Sequence, residues 1–315
     1  MEFNSIQDFK ANYSHVFHQS VLPRLAPFER DRKKARLKSQ IANSVGIICA
    51  ILLVLIFFAP DIGEKLSANT FVFIGIFFVC ILGFVISGLV AKNFETKLKK
   101  HIMPHLMKAF GDFTWTNEGV IDYYTIKQTT LFPRFERKSD DDNFYGTYKG
   151  LGVNINETEL TYTTRDSKGR TTTHTEFKGV IVEIDVKKQF MGHTIIRKRG
   201  LLNSKTYQEI KLEDPEFSKE YFVDANDQIE SRYLLTTSFM ERFKNLKRAF
   251  GGKSIQASFQ NNKLILAISI SKDLFKLADL SKPVSDTKQF TILLNEFTAI
   301  LEIIDELKLN QNIGL

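Results

Sequence analysis

The run IANSVGIICAILLVLIFFA, Ile41 to Ala59, carries no formal charge, and neither does FVFIGIFFVCILGFVISGLVA, Phe71 to Ala91. An α-helix rises about 1.5 Å per residue, so roughly 20 apolar residues cross a hydrocarbon core of about 30 Å. Residues 41–59 and 71–91 therefore predict two transmembrane spans. The first begins after 40 mostly polar residues, which is not the layout of a secretory signal. Pro60 to Thr70 is too short for a domain and predicts an antiparallel two-span hairpin.

Working outward, the flanks are basic. Residues 1–40 carry a net charge of +4, the connection −1, and Lys92 to Lys100 +3. Lysine and arginine beside a membrane mark its cytoplasmic face, so both termini are expected in the cytoplasm of a multi-pass protein of the inner (plasma) membrane. The chain's formal charge is +7, yet everything from His101 onward contributes only +1. Nucleic-acid binding by the downstream region thus has no electrostatic support. Two cysteines in 315 residues exclude a disulfide scaffold and a cysteine-based metal cage. Cys49 and Cys80 fall near mid-span and read as small apolar residues.

Small residues recur at helical spacing in both spans: Ala42, Gly46 and Ala50 in the first, Gly75, Gly83 and Ser87 in the second. Such stripes let helix backbones approach closely in lipid and point to packing within the hairpin or to a homo-oligomer through it. No Asp, Glu, Lys, Arg or His lies inside either span, which removes the usual mark of an ion or proton path. Residues 1–40 read as an amphipathic and then basic helical segment interrupted or kinked by Pro23 and Pro27, and residues 92–110 as a second basic helix. Arg32, Lys33, Lys34, Arg36, Lys38, Lys92 and Lys97 are the candidates for lipid headgroup contact. Val21 to Leu25 and Ile102 to Leu106 echo one another around a proline, a layout that fits side-by-side packing. His15 and His18, and His101 and His105, share helical spacing but lack an acidic or thiol third ligand, so no metal or cofactor is expected.

From about Gly111 the pattern turns to short strands. Phe144 to Tyr148, Gly152 to Ile155 and Leu160 to Thr164 read as strands, and Asp166 to Gly169 as a turn closing a hairpin with a basic, polar tip. Gly179 to Val186 is apolar enough to be a central strand. Asp214-Pro215 reads as a helix N-cap and first helical position, Tyr221 to Val223 as a strand, and Asp224 to Asp227 as a turn. Ser238 and Glu241 have capping-box spacing before a helix ended by Gly251-Gly252. Ser254 to Phe259 and Lys263 to Ile270 read as strands joined at Asn261-Asn262, and Asp286 to Leu309 as a long amphipathic helix. The fold class is α+β: a helical two-span hairpin, then a mixed, largely antiparallel β domain over 111–315 with C-terminal helices.

The run Lys211 to Phe217, then Asp227 to Thr236, then Ser238 to Arg242, resembles the bacterial family of domain of unknown function 3137. The proline-containing segment with Glu29 and Arg30, and Asn143 to Gly146, resemble it too. The resemblance implies a membrane-anchored cytoplasmic protein and carries no activity, so it implies no catalytic residues.

Within that motif Asp214, Asp227, Glu230 and Arg232 are the candidates for an acidic site, since paired carboxylates serve acid–base or metal chemistry. Each also has a structural role at hand as cap, turn residue or a Glu230–Arg232 ion pair. No phosphate loop, dinucleotide fingerprint, nucleophile elbow or zinc motif occurs. The reading is a membrane-anchored binding or scaffold protein, its partner a protein or the membrane surface. The alternatives are an enzyme centred on Asp214, Asp227 and Glu230, and a lipid-sensing membrane protein.

Overall fold

The computed structural model describes residues 5–58, 70–200, 205–249, 254–307 and 309. The connection with Asp61, Glu64 and Lys65 and the Gly251-Gly252 helix stop lie outside them. The residues cluster into two units, each built from separated stretches: Met1–Ser14, Met107–Phe275 and Leu293–Leu315 in one, His15–Leu106 and Lys276–Ile292 in the other.

The chain opens with α1 (Ile6–Val16), nearly all of it in the first unit, and the second unit continues it through a π-helical turn, Phe17–Val21, into α2 (Leu22–Phe58). The Leu22 N–H bonds the Phe17 carbonyl five residues back, and Pro23 next in line has no N–H to restore the usual spacing. Pro27 is carried inside α2. The partner helix α3 is Thr70–Leu106. Both are long and apolar enough to cross a membrane. Their apolar side chains, among them Ile51, Leu55, Phe78 and Leu82, are exposed, unlike those of a soluble core helix.

The small residues explain how α2 and α3 meet. A Cβ on Gly83 would lie 2.7 Å from the Ala42 carbonyl oxygen and 2.9 Å from the Gly46 nitrogen. Only glycine permits that approach. Cys80 donates its thiol to the Gly46 carbonyl at 3.3 Å, and the Ser39 and Ser87 hydroxyls meet at 2.8 Å. Gly75, by contrast, faces open space. At the start of α2 and the end of α3, Val21, Leu25, Ile102, Met103 and Leu106 are all buried, and the π turn packs on α3. The strap Lys276–Ile292 is stitched to this base. Leu277 N–H donates to Glu95, Val284 N–H to Glu29, and Arg32 to the Leu280 carbonyl, while the Phe17 and Phe290 rings pack at 4.9 Å.

The first unit is a seven-stranded antiparallel sheet: β1 (Thr114–Thr116), β2 (Arg137–Tyr148), β3 (Leu151–Arg165), β4 (Thr171–Lys198), β5 (Gln208–Glu209), β6 (Tyr221–Ala225) and β7 (Ser254–Ser269). Its short helices are α4 (Tyr123–Gln128), α5 (Pro215–Glu220), α6 (Gln228–Leu234) and α7 (Thr237–Ala249), followed by the long α8 (Thr287–Leu307). The spatial order is β1-β2-β3-β4-β6-β5, with β7 also on β4. One face buries Phe144 against Phe297 of α8, which also meets Phe110 and Phe113. The other buries Ile181, Ile195, Ile265 and Ala267 beneath Ile121, Ile126, Phe132 and Phe135. Alternation along each strand sends successive side chains to opposite faces, which is why both faces carry apolar residues here.

The 28-residue β4 organises the sheet. Its first half, Gly179 to Ile184, runs between β3 and β7. Its last residues, Thr194 to Lys198, run beside β6, with β7 still on the other side through Ile196. Between them the register with β7 slips at Asp185/Phe190 and again at Phe190/Thr194.

Four expectations are corrected. Gly152 to Ile155 and Leu160 to Thr164 are one strand, β3, with the irregularity on its partner β2 between Asp140 and Asn143. The two strands flanking Asn261-Asn262 are likewise one: Asn261 takes φ 58° and is absorbed opposite the slip in β4 instead of turning the chain. The helix expected from Phe239 begins at Thr237, where the Thr236 hydroxyl accepts the Phe239 N–H. Asp224 is a fully buried strand residue, not part of a turn.

Candidate functional site

The junction from β6 into α6 concentrates the polar chemistry of the sheet unit. Asp227 caps α6, accepting the Ile229 and Glu230 N–H groups at 2.9 Å each. Glu230, one turn in, reaches across to β4 and accepts two successive donors, Met191 N–H at 3.1 Å and Gly192 N–H at 2.7 Å. A Cβ on Gly192 would lie 2.7 Å from Asp227 Cβ and 2.8 Å from Asn226 Oδ1, so this close approach requires glycine. Asn226 Oδ1 accepts the His193 N–H at 2.7 Å. Three consecutive N–H groups at the bend of β4 are thus fixed by two side chains of one short segment, Asn226 and Glu230.

Inward from the bend, Asp224 takes the Arg197 guanidinium and the N–H groups of Thr206 and Tyr207. Arg197 also donates to the Thr130 carbonyl and hydroxyl and to the Thr206 hydroxyl. A buried ion pair survives only when its remaining donors and acceptors are met, and here nearly all are. The next buried group is His193. Its Nε2 lies 2.8 Å from Ser258 Oγ and its Nδ1 3.3 Å from Tyr207 Oη. Burial pushes the imidazole down to about 4. Serine next to histidine suggests a nucleophile and its base, but Ser258 is 2% exposed and His193 3%. No substrate reaches them, and the third group is a tyrosine where a nucleophile's base needs an orienting carboxylate.

Asp214 belongs to a different place. It caps α5 through Glu216 and Phe217 N–H groups and pairs with Lys244 of α7 at 3.1 Å. The Phe217 N–H is the first cause that holds its carboxyl below the usual range. It shares no partner with Asp227 or Glu230. Arg232 is exposed and, among the described residues, has neither an ion pair nor a hydrogen bond, because Glu230 is turned to the β4 bend. Among the described residues no group of three metal-ligating side chains forms.

The headgroup candidates divide. Lys33, Lys34, Arg36, Lys38 and Lys92 are exposed, and Lys97 is exposed while pairing with Asp31 at 2.5 Å. Arg32 is buried. Its guanidinium holds Glu29 and the Leu280 carbonyl, and it keeps the Glu29 carboxyl down at about 2. It is therefore an internal clasp between α2 and the strap Lys276–Ile292 and not a surface cation. Arg197, His193 and Ser258 have no signal of their own in the sequence, and Asp224 reads there as a turn residue; the one signal for the cluster is an aspartate inside a strand whose other residues are all hydrophobic, Tyr221 to Ala225.

Fold and site together define an α+β protein with two helices of membrane-crossing length and an acidic motif engaged by backbone donors. Residues 175–309 match the model of the family described as protein of unknown function (DUF3137), so the resemblance read from the sequence is shown over that stretch. No curated protein matches the chain. A solved structure that matches is the crystal structure of the mycobacterial trehalose monomycolate transport factor A, at 12% identity over 64% of this chain and 90% of that one, with a TM-score of 0.35.

Proposed function

We propose that residues 111–315 form a cytoplasmic domain held at the inner (plasma) membrane by the hairpin of spans 41–59 and 71–91, with both termini cytoplasmic, and that the protein acts by binding. Lys33, Lys34, Arg36, Lys38, Lys92 and Lys97 then lie at headgroup level. One observation supports binding over catalysis. The carboxylates of the motif are engaged by backbone N–H groups, while Met191, Ile229 and Tyr233 around them are 85%, 72% and 69% exposed. Ile229 and Tyr233 are four apart on α6 and share a face. Arg232 on the same helix is exposed and, among the described residues, unpaired. The occupant that fits is a protein segment with apolar side chains flanked by acidic ones.

Affinity capture of the full-length chain in mild detergent, compared with the I229A/Y233A variant, tests this reading. A stoichiometric partner lost in the variant supports it. The same captures from both proteins, or recovery of a homo-oligomer alone, counts against the site. Reporters fused to each end test the topology, and an extracytoplasmic C-terminus overturns it.

A further inference from the structure

One segment of the sheet unit buries nothing. From Thr164 to Thr173 every residue is exposed, so the β3–β4 hairpin projects as a two-stranded arm. Isolated hairpins are marginal in water, and this one has no apolar face to pack. Its order comes from local polar bonding. Asp166 accepts the Lys168 N–H at 2.9 Å and the Arg170 N–H at 2.8 Å, its own N–H donates to the Arg170 carbonyl, and Gly169 supplies the left-handed turn residue at φ 79°. The Asp166, Lys168, Gly169 and Arg170 N–H groups at the tip are therefore satisfied without solvent.

The two faces of the arm differ. Cross-strand partners share a face, and the pairs are Thr161 with Thr175, Thr163 with Thr173, and Arg165 with Thr171. One face is thus five threonines and an arginine. The hydroxyls of Thr161, Thr163, Thr171 and Thr173 have no partner among the described residues, while Thr175 donates to Glu159 at 3.1 Å. The opposite face closes on itself: Tyr162 stacks on His174 at 5.1 Å, His174 bonds the Thr164 hydroxyl, and Arg134 covers the Tyr162 ring. The tip holds Arg165, Lys168 and Arg170 against the single carboxylate Asp166, which pairs with Arg170. The other carboxylates, Glu136, Glu159 and Glu176, sit at the root. Glu136 is engaged by the Thr163 N–H, and Glu159 by Thr175 and Lys178.

An open face of hydroxyl donors ending in cations matches phosphate esters, which only accept hydrogen bonds and carry negative charge. We propose that this arm docks on the phosphate headgroups of anionic lipid. The face is exposed and encloses no single phosphate, so it suits an array of them. Two membrane-length helices on the same chain make a bilayer the phosphate source of highest effective concentration. Weak individual contacts suffice under such tethering.

The test uses the full-length chain with Cys49 and Cys80 replaced by alanine and one new cysteine, S167C at the tip or S238C as an exposed control. Both are reacted with an uncharged water-soluble maleimide, and the ratio of their rates cancels vesicle orientation. In vesicles with about 30 mol% anionic lipid the ratio is expected to fall about fivefold or more relative to neutral vesicles, the weight of one basic residue at such a surface. About 0.5 M salt, or R165Q/K168Q/R170Q, restores it. Equal ratios in anionic vesicles, neutral vesicles and detergent overturn the proposal. So does slowing by inorganic phosphate in detergent without slowing in anionic vesicles. Neither result touches Ile229 or Tyr233, so the partner captured there stands or falls separately.

Discussion

Strand β4 is polar at both ends for opposite reasons. At its start, Thr171 to Thr173 stands in water, and the hydroxyls of Thr171 and Thr173 are open to whatever approaches. Near its end, His193 and Arg197 are buried, and nearly every polar atom on them is matched by a group from β6, β7 or the loops at Thr130 and Thr206. The same composition therefore carries no stability in one place and much of it in the other. What decides is the cost of leaving a partner unmet, which is small in solvent and large in the interior.

The sharpest way to break this comparison is at the buried end. Asp224→Ala leaves the Arg197 guanidinium buried and uncompensated, and a loss of about 3–5 kcal/mol is expected. Denaturation of the full chain, followed through its single tryptophan, Trp115, reads it. Gly192→Ala comes next, at about 1–3 kcal/mol, because the added methyl meets Asp227 and Asn226 with no room to move. Loss of capture at Ile229 and Tyr233 should accompany that variant if the bend presents the binding face.

The buried titrating groups sharpen it further through pH. His193 is lowered from its ordinary 6.5 to about 4 by burial, so its stabilisation is present above pH 6.5 and is lost as pH falls toward 4. Glu157 runs the other way. Burial raises it to about 8, with Asp142, Asp273 and Asp141 adding to the rise while the Leu274 N–H opposes it. Its contribution is complete below pH 4.5 and is lost as pH rises through 8. His193→Gln is expected to flatten the acid limb of a stability–pH curve and Glu157→Gln the alkaline limb. At the exposed end, T163V/T173V should change stability by no more than about 0.5 kcal/mol. A larger loss there would show that the arm carries load in the folded domain after all.

What the sequence made legible is what short-range spacing decides. The two helices of membrane-crossing length, the Asp166–Gly169 turn and the Asp214 cap all follow from local composition and spacing, and each is readable. The buried site was not. Arg197 meets Asp224 27 residues away and His193 meets Ser258 65 away, and nothing local announces either meeting. Asn261 shows a subtler failure. An asparagine pair between apolar runs signals a turn, and Asn261 does adopt the left-handed conformation, but β4 carries extra residues opposite it and the strand runs on. Glu230 was readable as a charge of the motif but not as the clamp of the β4 bend, because its partners are backbone groups with no signature in sequence.

The length of β4 has a mechanical consequence. Its hydrogen bonds to β7 lie across the strand axis and recur from Gly179 to Ile196. A pull applied at the arm along that axis loads those bonds together in shear, and none is opened singly as at the end of a zipper. The load is therefore shared with β7 along Gly179 to Asp185 before it reaches the Glu230 bend, and the fewest β7 pairs share it at the slipped register between Asp185 and Thr194, next to the motif itself.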